Sequence, residues 1–178
     1  TPGQLDKVST SRELDVFFDR GGGIASVVQQ GEVRYNEGDR RASGDKGRFF
    51  PADGTVELTG SPQATDGPLS ISATLLRLHR ESGEAEAQGA VKTTYRVAGR
   101  QATGALLASG DPIHVTAASM SAHGSTAHYS GGARLWQGSN IIQAPTLDFD
   151  RDRRSLLAQG SAGQPVSSVF VQPDKHGK

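Results

Sequence analysis

An all-β solenoid of about five two-strand repeats is the fold this 178-residue sequence predicts. Three observations carry it. Gly31, Gly60, Gly89, Gly131 and Gly160 stand 29, 29, 42 and 29 residues apart, and similar residues surround each of them. A unit of that length cannot bury its apolar face alone and must stack on its neighbours. Around each glycine apolar residues alternate with polar ones, the period of a strand with one face inward and one wet. Between the alternating stretches lie clusters rich in Gly, Pro, Asp and Ser, which end strands and turn the chain.

The elements follow in chain order. Four residues before each glycine stand Val27, Val56, Ala85, Ala127 and Leu156, and two before it Gln29, Leu58, Ala87, Tyr129 and Ala158. Two residues after it come Val33, Pro62, Val91, Ala133 and Ala162, then Tyr35, Ala64, Thr93, Leu135 and Gln164. Most positions between them are polar, among them Gln30, Glu32, Arg34, Glu57, Thr59, Glu86, Gln88 and Lys92. An earlier strand in each unit carries Phe18, Phe49, Leu76, Leu78, Met120, Leu147 and Phe149. Parity therefore turns Leu58 and Tyr129 inward and their neighbours Glu57 and Ser130 outward. The turns are Arg20–Gly23, Pro51–Gly54, Arg80–Gly83, His123–Ser125 and Asp150–Arg153. Each repeat glycine sits inside the apolar stripe and marks a corner or a close approach of backbone. The long third step implies an insertion at about residues 97–111, rich in Ala, Gly and Ser, and residues 173–178 form a polar tail.

The sequence reads as a single domain spanning residues 1–178. Hydrophobic residues at 34% and aromatics at 6% are lean for a globular enzyme but suit an interior one side chain deep. A formal net charge of zero favours neither nucleic acid nor a strongly anionic surface as partner. With no cysteine there is no disulfide scaffold and no thiolate metal site. No run of eighteen apolar residues and no signal-peptide core occurs, so the stretch reads as soluble, and a start at Thr-Pro-Gly fits a processed or excised chain.

Candidate chemistry is sparse. His123 and His128, with His114 nearby in sequence, are the pair closest to a metal motif, but a spacing of five puts two side chains on opposite faces of a strand. Asp148, Asp150 and Asp152 share one parity, yet the interleaved Arg151, Arg153 and Arg154 favour a self-neutralised turn. Gly21–Gly23 lacks the lysine and hydroxyl of a phosphate loop. Glu84 and Glu86 resemble a glycosidase pair only in spacing, and their parity is outward. Trp136 points away from the Leu135 stripe, toward a protein contact or under a loop. No catalytic residue, metal ligand or cofactor is expected.

The segment Tyr129-Ser130-Gly131-Gly132-Ala133-Arg134-Leu135-Trp136-Gln137-Gly138-Ser139-Asn140, with Gln143-Ala144 and Leu147 to Gly160, resembles the OstA-like (organic solvent tolerance) domain of the lipopolysaccharide-transport periplasmic bridge family. Weaker copies stand at Gly31–Tyr35, Thr55–Pro62 and Ala87–Lys92, so the resemblance spans roughly Leu14 to Ala162. It implies a β-jellyroll of V-shaped, taco-like turns with an apolar lumen. It also implies a periplasmic protein that carries lipopolysaccharide or a related lipid toward the outer membrane, with no enzymatic step. Its partners would be other transport components joined by edge-strand contacts, and head-to-tail copies of itself.

Under that resemblance the lumen would be lined by Phe18, Val27, Val33, Tyr35, Phe49, Val56, Leu58, Leu76, Leu78, Val91, Met120, Tyr129, Leu135, Leu147, Phe149 and Leu156. Plain core packing is the competing reading for each. An acyl chain of a dozen carbons would gain on the order of 10 kcal/mol gross at about 0.8 kcal/mol per methylene, before ordering costs. The alternative function is a cargo-free structural solenoid that docks larger envelope partners. A β-helix enzyme acting on glycans stands third.

Overall fold

The computed structural model describes residues 7–96, 110–153 and 155–171. The insertion expected at 97–111 falls almost wholly outside them, as does the tail at 173–178. Among the described residues every regular element is a strand: β1 (Lys7–Thr10), β2 (Glu13–Phe18), β3 (Ile24–Glu37), β4 (Arg40–Phe50), β5 (Thr55–Thr59), β6 (Gln63–Asp66), β7 (Leu69–Ser72), β8 (Leu75–His79), β9 (Ala85–Tyr95), β10 (Ile113–His123), β11 (Thr126–Gln137), β12 (Asn140–Asp150), β13 (Ser155–Gln159) and β14 (Ser167–Val169). All are hydrogen-bonded into one antiparallel sheet.

The register shows how one sheet becomes two layers. Residues 24–30 of β3 pair with β2, whereas residues 34–37 of the same strand pair with β1. Likewise β4 pairs with β5 through residues 46–50 and with β6 through residues 40–43. The first layer therefore runs β2, β3, β4, β5, β8, β9, β10, β11, β12, β13, and the second β1, β3, β4, β6, β7, β9, β10, β11, β12, β14. Six long strands belong to both layers and bend between them. This is the V of a β-jellyroll, closed at the bends and open where two rows of turns face each other.

The bends fall where the repeat glycines stand. Register shifts interrupt the pairing of β3 with β4 between Gln30 and Val33, and of β11 with β12 between Ser130 and Ala133. At four corners two successive residues take positive φ: Gly31 and Glu32, Gly60 and Ser61, Gly89 and Ala90, Gly131 and Gly132. The neighbouring backbone comes so close that a Cβ on Gly60 would lie 2.5 Å from the Asp45 Cβ, and one on Gly89 would lie 2.8 Å from the Thr74 Cβ. Opposite the bulge one amide serves two carbonyls: Thr74 N donates to Gln88 O at 3.0 Å and to Gly89 O at 2.9 Å, and Arg12 N does the same with Gln30 and Gly31. Such a bulge inserts an extra residue and bends the strand. The fifth repeat glycine differs. Gly160 follows β13 without positive φ, and a tight turn pairing Ser161 with Gln164 leads away from it.

The core lies in the angle of the V. Leu58, Leu76, Ala87, Val91, Leu135 and Leu147 are at most 2% exposed and belong to one cluster drawn from both layers. Outside, charge pairs clothe the first layer: Arg77 on β8 donates to Glu57 on β5 at 3.0 Å and to Glu86 on β9 at 3.3 Å. Those two carboxylates hold the Arg77 guanidinium above its ordinary pKa, the hydrogen bond it donates to Glu57 contributing most.

Candidate functional site

Cross-strand partners share a face, so the register builds the inner wall row by row. The row nearer the mouth in the first layer reads Val16, Val27, Phe49, Val56, Leu78, Ala85, Ala122, Ala127, Phe149, Leu156. Every member is apolar. The next row inward contains Leu58, Leu76, Ala87, Met120, Tyr129, Leu147 and Ala158. Facing them from the second layer stand Tyr35, Ala42, Ala64, Ile71, Thr93, Val115, Leu135 and Ile142. At about 4.8 Å between strands the first row is an apolar stripe roughly 40 Å long, crossing the whole first layer.

Between the layers lies a cavity of about 290 Å³. Of the sixteen residues expected to line a lumen, Tyr35, Val56, Leu78, Met120, Tyr129, Leu135 and Phe149 face it. Val33, Leu58, Leu76, Val91 and Leu147 are buried in the packed angle of the V, where they fill space among themselves. Val27 and Phe49 are half-buried on the same wall, and half-buried Leu156 packs on the core near its C-terminal end. Phe18 stands apart. It is 66% exposed at the end of β2, where a register irregularity pairs it with Ile24 and where β2 has no outer neighbour among the described residues. The inward parity of Leu58 and Tyr129 and the outward parity of Glu57 and Ser130 hold, since Glu57 bonds Arg77 and Ser130 bonds the Ser119 hydroxyl at 2.7 Å on the outer face.

The cavity has members that alternation around the glycines did not single out as site residues. Ile71, Thr93, Tyr95 and Val115 come from the second layer. Thr93 carried a signal, for it stands four residues past Gly89, where Tyr35 and Leu135 stand in their own units. Two turn arginines rim the opening. Arg80 lies 5.5 Å above the Phe49 ring and 5.9 Å from that of Tyr35, while Arg151 donates to Gly124 O at 2.7 Å. The stem and delocalised cation of Arg80 cover these aromatic faces. A larger depression, about 720 Å³, mixes Glu84, Glu86, His123, His128 and Asp148 with apolar residues such as Ala85, Ala127 and Leu157 and opens broadly to solvent. The smaller, apolar-walled cavity has the character of a ligand site, at the lower end of the roughly 300–1,000 Å³ usual for one.

The polar groups weighed from the sequence are engaged locally. His128 Nδ1 lies 2.6 Å from Asp148 Oδ1 on the outer face, and His123 Nδ1 is 3.5 Å from Glu84 Oε1. Asp150 Oδ1 accepts from the amides of Asp152 and Arg153, each at 3.0 Å, so this acidic turn is occupied by its own backbone. Trp136 stacks on His114 with ring centroids 5.1 Å apart, and the Arg134 guanidinium covers it at 5.6 Å. This tryptophan is packed on the outer face by its neighbours.

At the N-terminal end of the cavity Tyr35 Oη donates to Glu37 Oε2 at 2.6 Å, and Lys7 Nζ pairs with Glu37 Oε1 at 2.9 Å. The Tyr35 hydrogen bond, then Lys7, holds the Glu37 carboxyl below its usual pKa, while burial and the same hydrogen bond raise that of Tyr35. A depressed folded-state pKa gives stability that is present above the unfolded value of about 4.3 and is lost as pH falls through the lower folded value. Glu37→Gln is expected to remove this part of the acid limb, so its stability should fall less steeply than wild type below about pH 4. Urea unfolding from pH 7 to pH 3 checks this, and parallel curves for the two proteins would deny the linkage.

No family model matches the sequence, and no curated protein matches it. Among solved structures the chain is similar to the crystal structure of LptH from Pseudomonas aeruginosa, described as the LptA homologous periplasmic component of the conserved lipopolysaccharide transport device. The match has 12% sequence identity and a TM-score of 0.41, and it covers 95% of this chain and 96% of the other. A TM-score below one half is a loose likeness, and nothing about function follows from it.

Proposed function

We propose that this protein binds the acyl part of lipopolysaccharide, or of a related lipid, between its two layers and passes it on without chemical change. The observation that carries the reading is the apolar row crossing the entire first layer beside a cavity that the side chains leave unfilled. The register of the five glycine units and their resemblance to the OstA-like domain point the same way and suggest a periplasmic setting. In such a site shielding is the whole mechanism: apolar walls take the chain out of water, and small Ala85, Ala122 and Ala127 leave it room. The packed angle of the V around Leu58 and Leu147 is also what a cargo-free structural module would have, so the mouth half of the wall distinguishes the two readings.

A photoreactive residue at Phe149 or Leu78 is expected to crosslink added lipopolysaccharide, whereas one at Arg77, on the outer face of the same sheet, is expected to stay unlinked. Equal labelling at both parities, or none at either, would count against carriage and favour the structural module.

The ends suit assembly with like components. At one end Leu14, Phe17, Phe18 and Ile24 are about half exposed or more, and at the other Leu157, Val169, Phe170 and Val171 are. Both ends present edge strands with unpaired backbone groups, which a partner strand can extend. Contacts between unlike ends propagate head to tail. Ala158→Pro in β13 is expected to lower concentration-dependent association seen by light scattering, because proline removes a donor at that edge. A protein that stays monomeric at high concentration before and after this change would leave only association with a different component.

A further inference from the structure

Inside the apolar wall one buried hydroxyl lacks a hydrogen bond of ordinary geometry. Thr93, on β9, is 5% exposed and lines the cavity, and among the described residues its Oγ1 has no hydrogen-bond partner of ordinary geometry. It is the single polar side chain in the row Tyr35, Ala42, Ala64, Ile71, Thr93, Val115, Leu135, Ile142 apart from the tyrosine at its end. From the opposite layer Tyr129, itself 5% exposed, brings its hydroxyl near enough to interact with Thr93. A buried hydroxyl without a partner is costly, and a valine of the same shape would avoid the cost. The sequence keeps the oxygen.

We propose that Thr93 Oγ1 and the Tyr129 hydroxyl form a polar subsite within the cavity that takes one uncharged oxygen, a hydroxyl or an ester carbonyl, carried on an otherwise apolar chain. The inference rests on the lipid-binding reading and narrows it from any acyl chain to an oxygen-bearing one. The chemistry fits on both sides. A threonine hydroxyl can donate and accept, so it serves either oxygen type. Burial raises the Tyr129 pKa, which keeps the phenol protonated and able to donate. The flanking wall, Ile71 and Val115 beside Thr93 and Met120 and Leu147 beside Tyr129, offers no competing polar group. A chain whose oxygen sits at the right distance along it would therefore be held in register, whereas a plain hydrocarbon would leave Thr93 with no more than its poorly aligned contact to Tyr129.

The test is displacement of the fluorescent probe N-phenyl-1-naphthylamine by decanoate and by its positional monohydroxy isomers, on the whole chain. For the wild type at least one isomer is expected to bind about three- to tenfold more tightly than decanoate. That preference, read within each variant as the ratio of the isomer's affinity to that of decanoate, is expected to vanish in Thr93→Val and to shrink in Tyr129→Phe. Thr93→Val is also expected to melt a few degrees higher than wild type, since it removes an unpaired buried hydroxyl. A lower melting temperature would mean the hydroxyl is already satisfied within the protein and would overturn the subsite. So would a wild type that binds decanoate but ranks every hydroxylated isomer at or below it, a result that leaves lipid binding standing. Failure of the probe and of decanoate to bind at all would overturn both.

Discussion

Gly60→Ala is expected to lower the unfolding free energy by about 2–4 kcal/mol, the left-handed backbone and the steric clash adding to each other. Gly60 has φ +73°, and its new methyl carbon would stand 2.5 Å from both Cβ and Oδ2 of Asp45. Side-chain rotation cannot relieve a Cβ contact, so the strands must separate at the corner. Gly124→Ala is the matched control, with φ +57° and nothing within 4 Å of the added carbon. It should cost only about 1 kcal/mol, the conformational part alone. Urea unfolding of the two variants separates the terms, and equal losses would show that close approach at the corner contributes nothing.

Leu147→Ala is expected to cost about 3–5 kcal/mol, at the upper end for a buried leucine. Leu147 is fully buried and pairs with Tyr129 on one side and Ala158 on the other, so neither neighbour strand can collapse into the space without breaking its ladder. Ten residues on, Leu157 is 54% exposed on the outer face of β13, and Leu157→Ala should shift stability by less than about 0.5 kcal/mol. A small loss at Leu147 would indicate that the angle of the V is plastic, as a lumen that widens for cargo would need.

How much of this was legible in the sequence varies from residue to residue. The repeat glycines revealed the corners because a corner demands left-handed backbone and close packing, two constraints that only glycine meets together. Alternation correctly turned Val33, Leu58, Val91 and Leu135 inward. It could not tell the filled angle of the V from its open mouth, because both have the same parity. So Leu58 and Val91, expected on a lumen wall, are packing residues, whereas Leu78 and Phe149 face free space. Glu32, Ser61 and Ala90 take positive φ without any compositional mark, since only the preceding glycine signals the bulge. Val28, on the outer parity, is 4% exposed, more deeply buried than its inward neighbour Val27. Phe18 misled because an aromatic on the correct parity still lies bare when its strand has no outer neighbour. Ile71 went unseen for a different reason: β7 is a four-residue strand beyond the repeated pattern.

Because each of the six long strands is hydrogen-bonded to the strands just before and after it in the chain, the molecule can be assembled progressively. A hairpin such as β10 with β11 can close early, and each later strand adds to a finished edge, which keeps the loop-closure entropy of each such step small. The same arrangement implies a gradient of protection. Amides of β9 to β11 should exchange with solvent most slowly, and those of β1, β2, β13 and β14 most rapidly, since the outermost ladders can fray without opening the middle. A chain built this way could be lengthened or shortened by evolution one bent strand at a time, leaving the remaining corners as they are.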